Sequence, residues 1–241
     1  MLLKMIKMRW DELVLYLGVG LFGAVFGEII LALLAYMESE DPIKRVFRLG
    51  TIFAIVAMLF TQLLFGIFGL GQWFNYQVAF GVTRKKFICC DVLVSLIWSL
   101  ATVLFAGVLY VAEGGLLKVF FAAYPENNIL ESLHLSPGML VTVILLGLVC
   151  LTALKEMLGS LVMRFGNKAF WVIWAIWMLI CILPARIQRM DEGNLLSKIF
   201  AGIARWISQV PAAAWGAAGI VFAAAAFAVT WIIIRKQAVA A

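Results

Sequence analysis

The chain has 241 residues, of which 65% are hydrophobic and only 13% carry charge. A soluble domain is roughly 45–50% apolar and about 25% charged, so 19 Lys and Arg with 13 Asp and Glu cannot cover a water-soluble globule of this size. The composition excludes a soluble enzyme, a disordered tail and a secreted disulfide-bonded scaffold, and it indicates an integral membrane protein.

Six apolar stretches are long enough to cross the hydrocarbon core of a membrane, which takes about 20 residues in a helix. Each is predicted to be helical, because backbone polar groups have no water to bond with in lipid. The predicted fold class is therefore all-α, with the whole chain forming a single polytopic transmembrane domain. The predicted spans are 13–37, 50–74, 88–112, 138–160, 169–187 and 212–234.

The N-terminal segment carries Lys4, Lys7 and Arg9 ahead of an apolar stretch, as a signal peptide does. That stretch, 13–37, is much longer than the 7–15 apolar residues of a signal peptide, and no A-x-A cleavage site follows it. We therefore expect it to be kept as the first span, preceded by a basic amphipathic segment.

Six spans place both termini on the same side of the membrane. That side carries eleven Lys and Arg residues, including Lys155, and the opposite side carries eight. By the positive-inside rule, this asymmetry predicts that both termini are cytoplasmic. Glu28 and Asp91 are the two acids predicted within spans, and Asp91 is close enough to the end of its span to pair with Arg84 or Lys85.

Glu28 lies deep in the first span, where an ionisable side chain is a candidate functional residue. It follows Gly20, Gly23 and Gly27, a ridge of small residues that permits close contact between helices. Two roles remain open for Glu28. It is either protonated and hydrogen-bonded across a packed helix contact, or it lines a translocation path.

Two external connectors have features of their own. The connector 111–137 combines two glycines, an apolar run and two acids. The segment 194–210 has apolar residues on one helical face and polar residues on the other. This pattern predicts an amphipathic helix on the outer leaflet just before the last span.

The segment 72–87, between the second and third spans, is rich in aromatic residues and ends in the cations 84–86. One interpretation is a basic anchor on anionic lipid headgroups, worth about 1 kcal/mol per cation. The other is a short helix that presents Phe74, Tyr76 and Phe80 to a cytosolic partner. The residues alone favour neither.

Motifs for catalysis are absent from the sequence. There is no Gly-Lys dipeptide and hence no GxxxxGK[ST] phosphate loop. His134 is the only histidine, which argues against a histidine-based metal site, and no paired carboxylates are expected within the membrane. We predict no catalytic residue, no metal site, no cofactor bound by this chain and no nucleic-acid partner.

Residues 79–87, AFGVTRKKF, follow the second predicted span and immediately precede the third. This stretch resembles the first cytoplasmic loop of bacterial ABC type-2 exporter permeases, many of which carry a similar phrase there. The layout is similar too: a basic amphipathic N-terminus, six spans, a short cytoplasmic turn at 163–168 and an external amphipathic segment.

The resemblance implies a permease in the bacterial cytoplasmic membrane, surrounded by lipids and paired with a second copy or a paralogue. It also implies a cytosolic ABC ATPase partner that binds the ATP and Mg²⁺, with residues 1–12 of this chain as a connecting helix. The implied ATPase-coupling residues are Tyr76, Phe80, Arg84 and Lys85, to which the aromatic pattern adds Phe74.

The family's first and fifth spans usually form the dimer seam, where the ridge of Gly20, Gly23 and Gly27 would lie. Its small members often move amphipathic or antimicrobial peptides or lipid-like compounds by alternating access. A rival class is a stand-alone ion-coupled transporter or channel that uses Glu28. A third class is a membrane protein that only sequesters a ligand.

Overall fold

The computed structural model describes residues 1–37, 48–120, 136–187 and 210–237. Within those ranges the chain is all-helical and contains no strand, as predicted. The helices are α1 (Leu2–Met8), α2 (Trp10–Met37), α3 (Leu49–Ala79), α4 (Arg84–Phe120), α5 (Pro137–Phe165), α6 (Asn167–Ile187) and α7 (Ala212–Lys236).

Five of these helices, α2 to α5 and α7, are long and apolar enough to cross a membrane. Helix α6 coincides with the predicted fifth span, but its apolar stretch, Asn167–Ile180, is shorter than the others. The structure thus supports five membrane-spanning helices, and the sixth span stays a prediction. The amphipathic segment 194–210 lies, apart from Val210, outside the described residues.

Several helices run beyond the predicted spans. Helix α3 continues to Ala79 instead of ending at 74, and α4 covers Arg84–Phe120 instead of 88–112. At 1.5 Å per residue the 37 residues of α4 are about 55 Å long, against roughly 30 Å of hydrocarbon. Hydropathy misses these extensions because the α3 extension contains the polar Asn75 and Gln77, and the α4 extensions contain charged residues and glycines. The predicted 111–137 connector therefore begins as helix.

Helices α3 and α5 lie at the centre of the bundle. Helix α3 packs against α2, α4 and α5, and α5 packs against α3, α4, α6 and α7. The largest hydrophobic cluster lies where α1, the α3–α4 turn and the C-terminal end of α7 meet. Its most deeply buried members are Met5, Phe74, Phe87, Val94 and Ile234.

The glycine ridge of α2 faces α3 of the same chain. A Cβ on Gly23 would lie 2.9 Å from the carbonyl oxygen of Phe53, and one on Gly27 would lie 2.6 Å from that of Leu49. Both glycines therefore bring the two backbones together at a distance that no other residue allows. The ridge that the resemblance would place at a dimer seam is covered within the chain.

We expect Gly27→Leu to destabilise the fold by at least 1–3 kcal/mol, because the added atoms meet backbone that cannot move aside. Gly18→Leu is the matched control, since Gly18 is on the same helix and a Cβ there meets nothing within 4 Å. Thermal unfolding in detergent should show a clearly lower melting temperature for Gly27→Leu and not for Gly18→Leu. Equal melting temperatures would contradict the α2–α3 contact.

Candidate functional site

The predicted coupling segment forms a tight turn, and it contains no separate helix. Helix α3 runs unbroken to Ala79, and α4 begins at Arg84. The intervening Gly81 has a φ of 79°, a left-handed conformation that glycine adopts without steric cost. The expectation of a short independent helix over 72–87 is wrong, because the aromatic residues continue the helical hydrogen bonding of α3.

Tyr76 and Phe80 project from this turn as an exposed pair, called here the aromatic knob. Their ring centroids are 4.8 Å apart, and 48% of Tyr76 and 71% of Phe80 are exposed. Lys85 and Lys86 are also exposed in the first turn of α4. The structure thus places an apolar surface with adjacent cations at the end of the long α3 and α4 helices.

Phe74 does not belong to this surface, which corrects the sequence-based expectation for it. Its side chain is 0% exposed, and its ring meets that of Phe87 edge to face with centroids 5.5 Å apart. Phe74 precedes Tyr76 by two residues, which at 100° per residue puts the two on nearly opposite faces of α3. Phe74 therefore holds the turn against α4 and cannot contact a partner.

Arg84 makes a link within the chain. Its Nη1 donates a hydrogen bond of 2.7 Å to the carbonyl oxygen of Arg235 in the last turn of α7. Such carbonyls have no partner within their own helix, so the bond ties the start of α4 to the end of α7. Of the five predicted coupling residues, Tyr76, Phe80 and Lys85 are exposed.

A buried group of charged side chains, called here the ionic cluster, comprises Arg9, Glu12, Asp91, Lys155 and Glu156. Arg9, which joins α1 to α2, is only 5% exposed. Its guanidinium forms an ion pair with Asp91 of α4 and donates through Nε to Glu12 at 2.9 Å. Burial by itself lowers the pKa of Arg9, but the two carboxylates outweigh it, so the net pKa is raised and the side chain stays charged.

The other half of the cluster lies between α4 and α5. Lys155 Nζ donates to Ser95 Oγ and lies 3.4 Å from Glu156 Oε1. Ser95 Oγ in turn donates to the same carboxylate oxygen at 3.1 Å. Gly66 of α3 makes room for the Lys155 stem, because a Cβ there would overlap it. One network thus joins the N-terminal segment to the centre of the bundle.

The cluster contains two cations and three carboxyl groups, and the ion pairs give each buried charge a partner of opposite sign, which lowers the cost of burying it. Two expectations were wrong here. Asp91 pairs with Arg9 and not with Arg84 or Lys85, and Lys155 is not a loop cation.

The error at Lys155 concerns residues near the end of a predicted span. Lys155 and Glu156 lie within the predicted span 138–160, yet they were counted with the cytoplasmic side that follows it. Helix α5 runs on to Phe165, which leaves both side chains more than two turns inside it. Without Lys155 the count of cations becomes ten against eight, and the orientation of the termini stays a prediction.

A second polar contact lies at the opposite end of α3. Glu113 accepts hydrogen bonds from the backbone N–H groups of Gly50 and Thr51, at 2.8 and 2.6 Å. It therefore caps the positive end of α3, where N–H groups lack helical partners. Glu28, half-buried on α2, faces the same glycine: a Cβ on Gly50 would lie 2.9 Å from Glu28 Oε1 and 3.2 Å from Glu113 Oε1. Sequence reasoning missed Glu113 because it placed this residue in the external connector.

The predicted site residues thus fall into two groups. The aromatic knob is at one end of α3, and Glu28 faces the other end at Gly50. The 26 residues from Gly50 to Tyr76 separate the groups by about 39 Å along the helix. The two groups therefore cannot form one local site.

Within the described ranges no group of three His, Cys, Asp or Glu side chains is arranged to hold a metal ion. Comparison with known proteins finds no matching family model, no similar curated protein and no similar solved structure.

Proposed function

We propose that this chain is the membrane-spanning permease subunit of an ATP-driven bacterial exporter of the ABC type-2 kind. The observation that carries the proposal is the aromatic knob, formed by the stretch that resembles the ATPase-docking loop of that family. Two adjoining aromatic rings and nearby cations, presented at a tight turn, suit a groove on a soluble subunit. A lipid anchor would use the same cations but does not require a rigid turn.

The contacts around the aromatic knob would transmit a displacement imposed by an ATPase to the helix bundle. Helix α3 is continuous from the knob to Leu49. Phe74 and Phe87 fix the turn to α4, while Arg84 fixes it to α7. A displacement of the knob therefore moves three helices together, which is the kind of rigid-body step that alternating access requires.

In this proposal the permease lies in the cytoplasmic membrane with both termini inside and works with a second copy or a paralogue. The ATPase partner supplies ATP and Mg²⁺ binding. The cargo is an amphipathic or antimicrobial peptide or a lipid-like compound. The predominantly apolar membrane helices suit cargo that already partitions into lipid.

The direct test is co-expression of the full chain with the ATPase encoded beside it, followed by purification in detergent through a tag on the permease. We expect the ATPase to be retained through size-exclusion chromatography and its ATP hydrolysis to be higher in the complex than alone. An unrelated ABC ATPase is the control. Failure to retain the neighbouring ATPase would contradict the proposal.

One observation favours a different class of transporter. The carboxyl groups of Glu28 and Glu113 both face Gly50, and neighbouring acids at such a depth are the kind of site that an ion-coupled transporter working alone would require. The same preparation separates the two classes. A chain that binds no ATPase but shows proton-driven transport lost in Glu28→Gln would belong to this second class.

A further inference from the structure

The ionic cluster contains more acids than cations. Arg9 and Lys155 supply two positive charges, whereas Glu12, Asp91 and Glu156 supply three carboxyl groups. Arg9 serves two of the acids, because its guanidinium contacts both Glu12 and Asp91. Two positive charges against three negative ones would leave a net charge of −1. A net charge buried among membrane-spanning helices is costly, so it calls for a further cation or for a proton.

The neighbouring helices do not supply that cation among the described residues. Helix α3, which packs against α5, contains no Asp, Glu, Lys or Arg. The other cations of α1, α4, α6 and α7 lie in terminal turns, and those with described side chains are exposed, apart from Arg84, which bonds to α7. Tyr16 of α2 is buried one turn after Glu12, but its phenol is uncharged. A proton is the remaining counter-charge, and it takes up no space of its own.

Glu156 is the acid of the cluster whose negative charge is least stabilised. The other two acids both contact the Arg9 guanidinium. Glu156 is 2% exposed, and its nearest cation, Lys155 Nζ, is 3.4 Å away. That distance is longer than the roughly 2.7–2.9 Å of a charge-assisted hydrogen bond, because Lys155 donates to Ser95 Oγ instead. A proton added to the cluster is therefore best placed on Glu156.

A threonine hydroxyl without a partner lies one helical turn from Glu156. Thr152 is 1% exposed, and its Oγ1 has no hydrogen-bond partner. The other threonines within helices all bond through their hydroxyl groups: Thr51, Thr61, Thr102, Thr142 and Thr230. Three of these bond to the carbonyl oxygen four residues earlier in their own helix, whereas Thr152 does not. A buried polar group of this kind calls for a partner that the protein side chains do not provide.

Helix geometry directs the Glu156 side chain toward Thr152. Residues four apart share a face of an α-helix, and side chains lean toward the helix N-terminus. The Glu156 side chain therefore lies over the turn that contains Thr152. A protonated carboxyl group has an O–H that needs an acceptor, and a threonine hydroxyl can accept. The surplus acid and the unpartnered hydroxyl thus satisfy each other once a proton is present.

We propose that Glu156 is a proton-binding site whose carboxyl O–H is hydrogen-bonded to Thr152, either directly or through one buried water molecule. The proton removes the surplus negative charge of the closed cluster. When the contact between α1, α4 and α5 opens and water enters, Glu156 gives its proton to that water and becomes a carboxylate. Opening of the cluster and release of one proton are therefore a single coupled step.

Proton binding at Glu156 does not depend on the proposed function. Only the further step, that the cluster opens during export, rests on it. The proton is therefore measured on the purified full chain without any ATPase. Failure of this inference and failure of the exporter proposal are then separate results.

The test is infrared difference spectroscopy of the full chain in lipid nanodiscs at neutral pH. Wild type minus Glu156→Gln should show the C=O stretching band of a protonated carboxylic acid, and the band should shift on exchange into D₂O. Glutamine has the shape of the protonated acid and no charge, so the variant should fold. Thr152→Val should move the band, because the acid loses its acceptor. Thr142→Val is the matched control, since that hydroxyl bonds to Gly138 of its own helix.

The pH dependence of stability gives a second readout. An unfolded glutamate is ionised above its ordinary value of about 4.3, so a site that keeps its proton in the folded state loses stability as pH rises from there. The folding equilibrium constant of wild type should fall about tenfold more per pH unit than that of Glu156→Gln, the effect of one proton. Chemical unfolding in detergent at a series of pH values measures it. The same difference should appear in a Glu28→Gln background, because Glu28 lies at the opposite end of α3.

Three results would each overturn part or all of this inference. A difference spectrum without a carboxylic acid band, or equal pH dependence of wild type and Glu156→Gln, would overturn the proton site. A band that Thr152→Val leaves in place would overturn the hydrogen bond to Thr152. If Glu156→Gln folds poorly, the spectra of Thr152→Val and Thr142→Val against wild type still decide, since only the first should change the band.

Discussion

Arg9→Leu should destabilise the fold by about 3–5 kcal/mol, the usual cost of removing one partner from a buried ion pair. Arg9 and Asp91 are both almost fully buried, so water cannot replace the lost guanidinium. The variant also removes the hydrogen bond from Arg9 to Glu12, but Glu12 still accepts a hydrogen bond of 2.7 Å from the indole N–H of Trp73. The cost therefore arises mainly at Asp91.

The double variant Arg9→Leu/Asp91→Leu should recover a large part of this loss, because it removes both charges together. Chemical unfolding in detergent of wild type, the two single variants and the double variant gives the coupling energy directly. Lys7→Leu is the control, since Lys7 is an exposed cation in the same N-terminal segment. A single Arg9→Leu variant as stable as Lys7→Leu would show that the ion pair is not formed.

The fold class was predictable because it depends on hydropathy, which is a local property. Runs such as 13–37 and 212–234 have to be helical in lipid whatever their neighbours are. Helix ends were not predictable in the same way. Glu113, in the part of α4 beyond the predicted span, caps α3, and this contact joins residues more than sixty positions apart.

The candidate site was predictable only where side chains face outward. Tyr76 and Phe80 were identified from their position beside three cations, and both are exposed. Phe74 belongs to the same aromatic pattern, and its burial depends on Phe87 folding back from the next helix. The ionic cluster was missed for the same reason, since the pairing of Arg9 with Asp91 joins residues 82 positions apart in the sequence.

Phe80→Asp is expected to weaken the ATPase–permease complex at least 30-fold. An exposed aromatic anchor in the centre of an interface is worth about 2 kcal/mol or more, which corresponds to that factor. The introduced carboxylate adds the cost of burying a charge against the partner. The fold should be unaffected, because Phe80 is 71% exposed and lies in the turn after α3.

The matched control for this variant is Phe165→Asp. Phe165 is also an exposed phenylalanine, 56% exposed, at the end of α5. Met163 of α5 lies beside Gly71 of α3, so the control residue is at the same end of the bundle as the aromatic knob. A general effect of added negative charge near the membrane surface would appear in both variants.

The measurement that tests the central claim is the dissociation constant of the neighbouring ATPase for wild type, Phe80→Asp and Phe165→Asp in nanodiscs of one lipid composition. Docking through the aromatic knob predicts tight binding to wild type and Phe165→Asp, with binding to Phe80→Asp weakened at least 30-fold. Equal binding of the ATPase to all three proteins would contradict the claim that the knob is the docking surface.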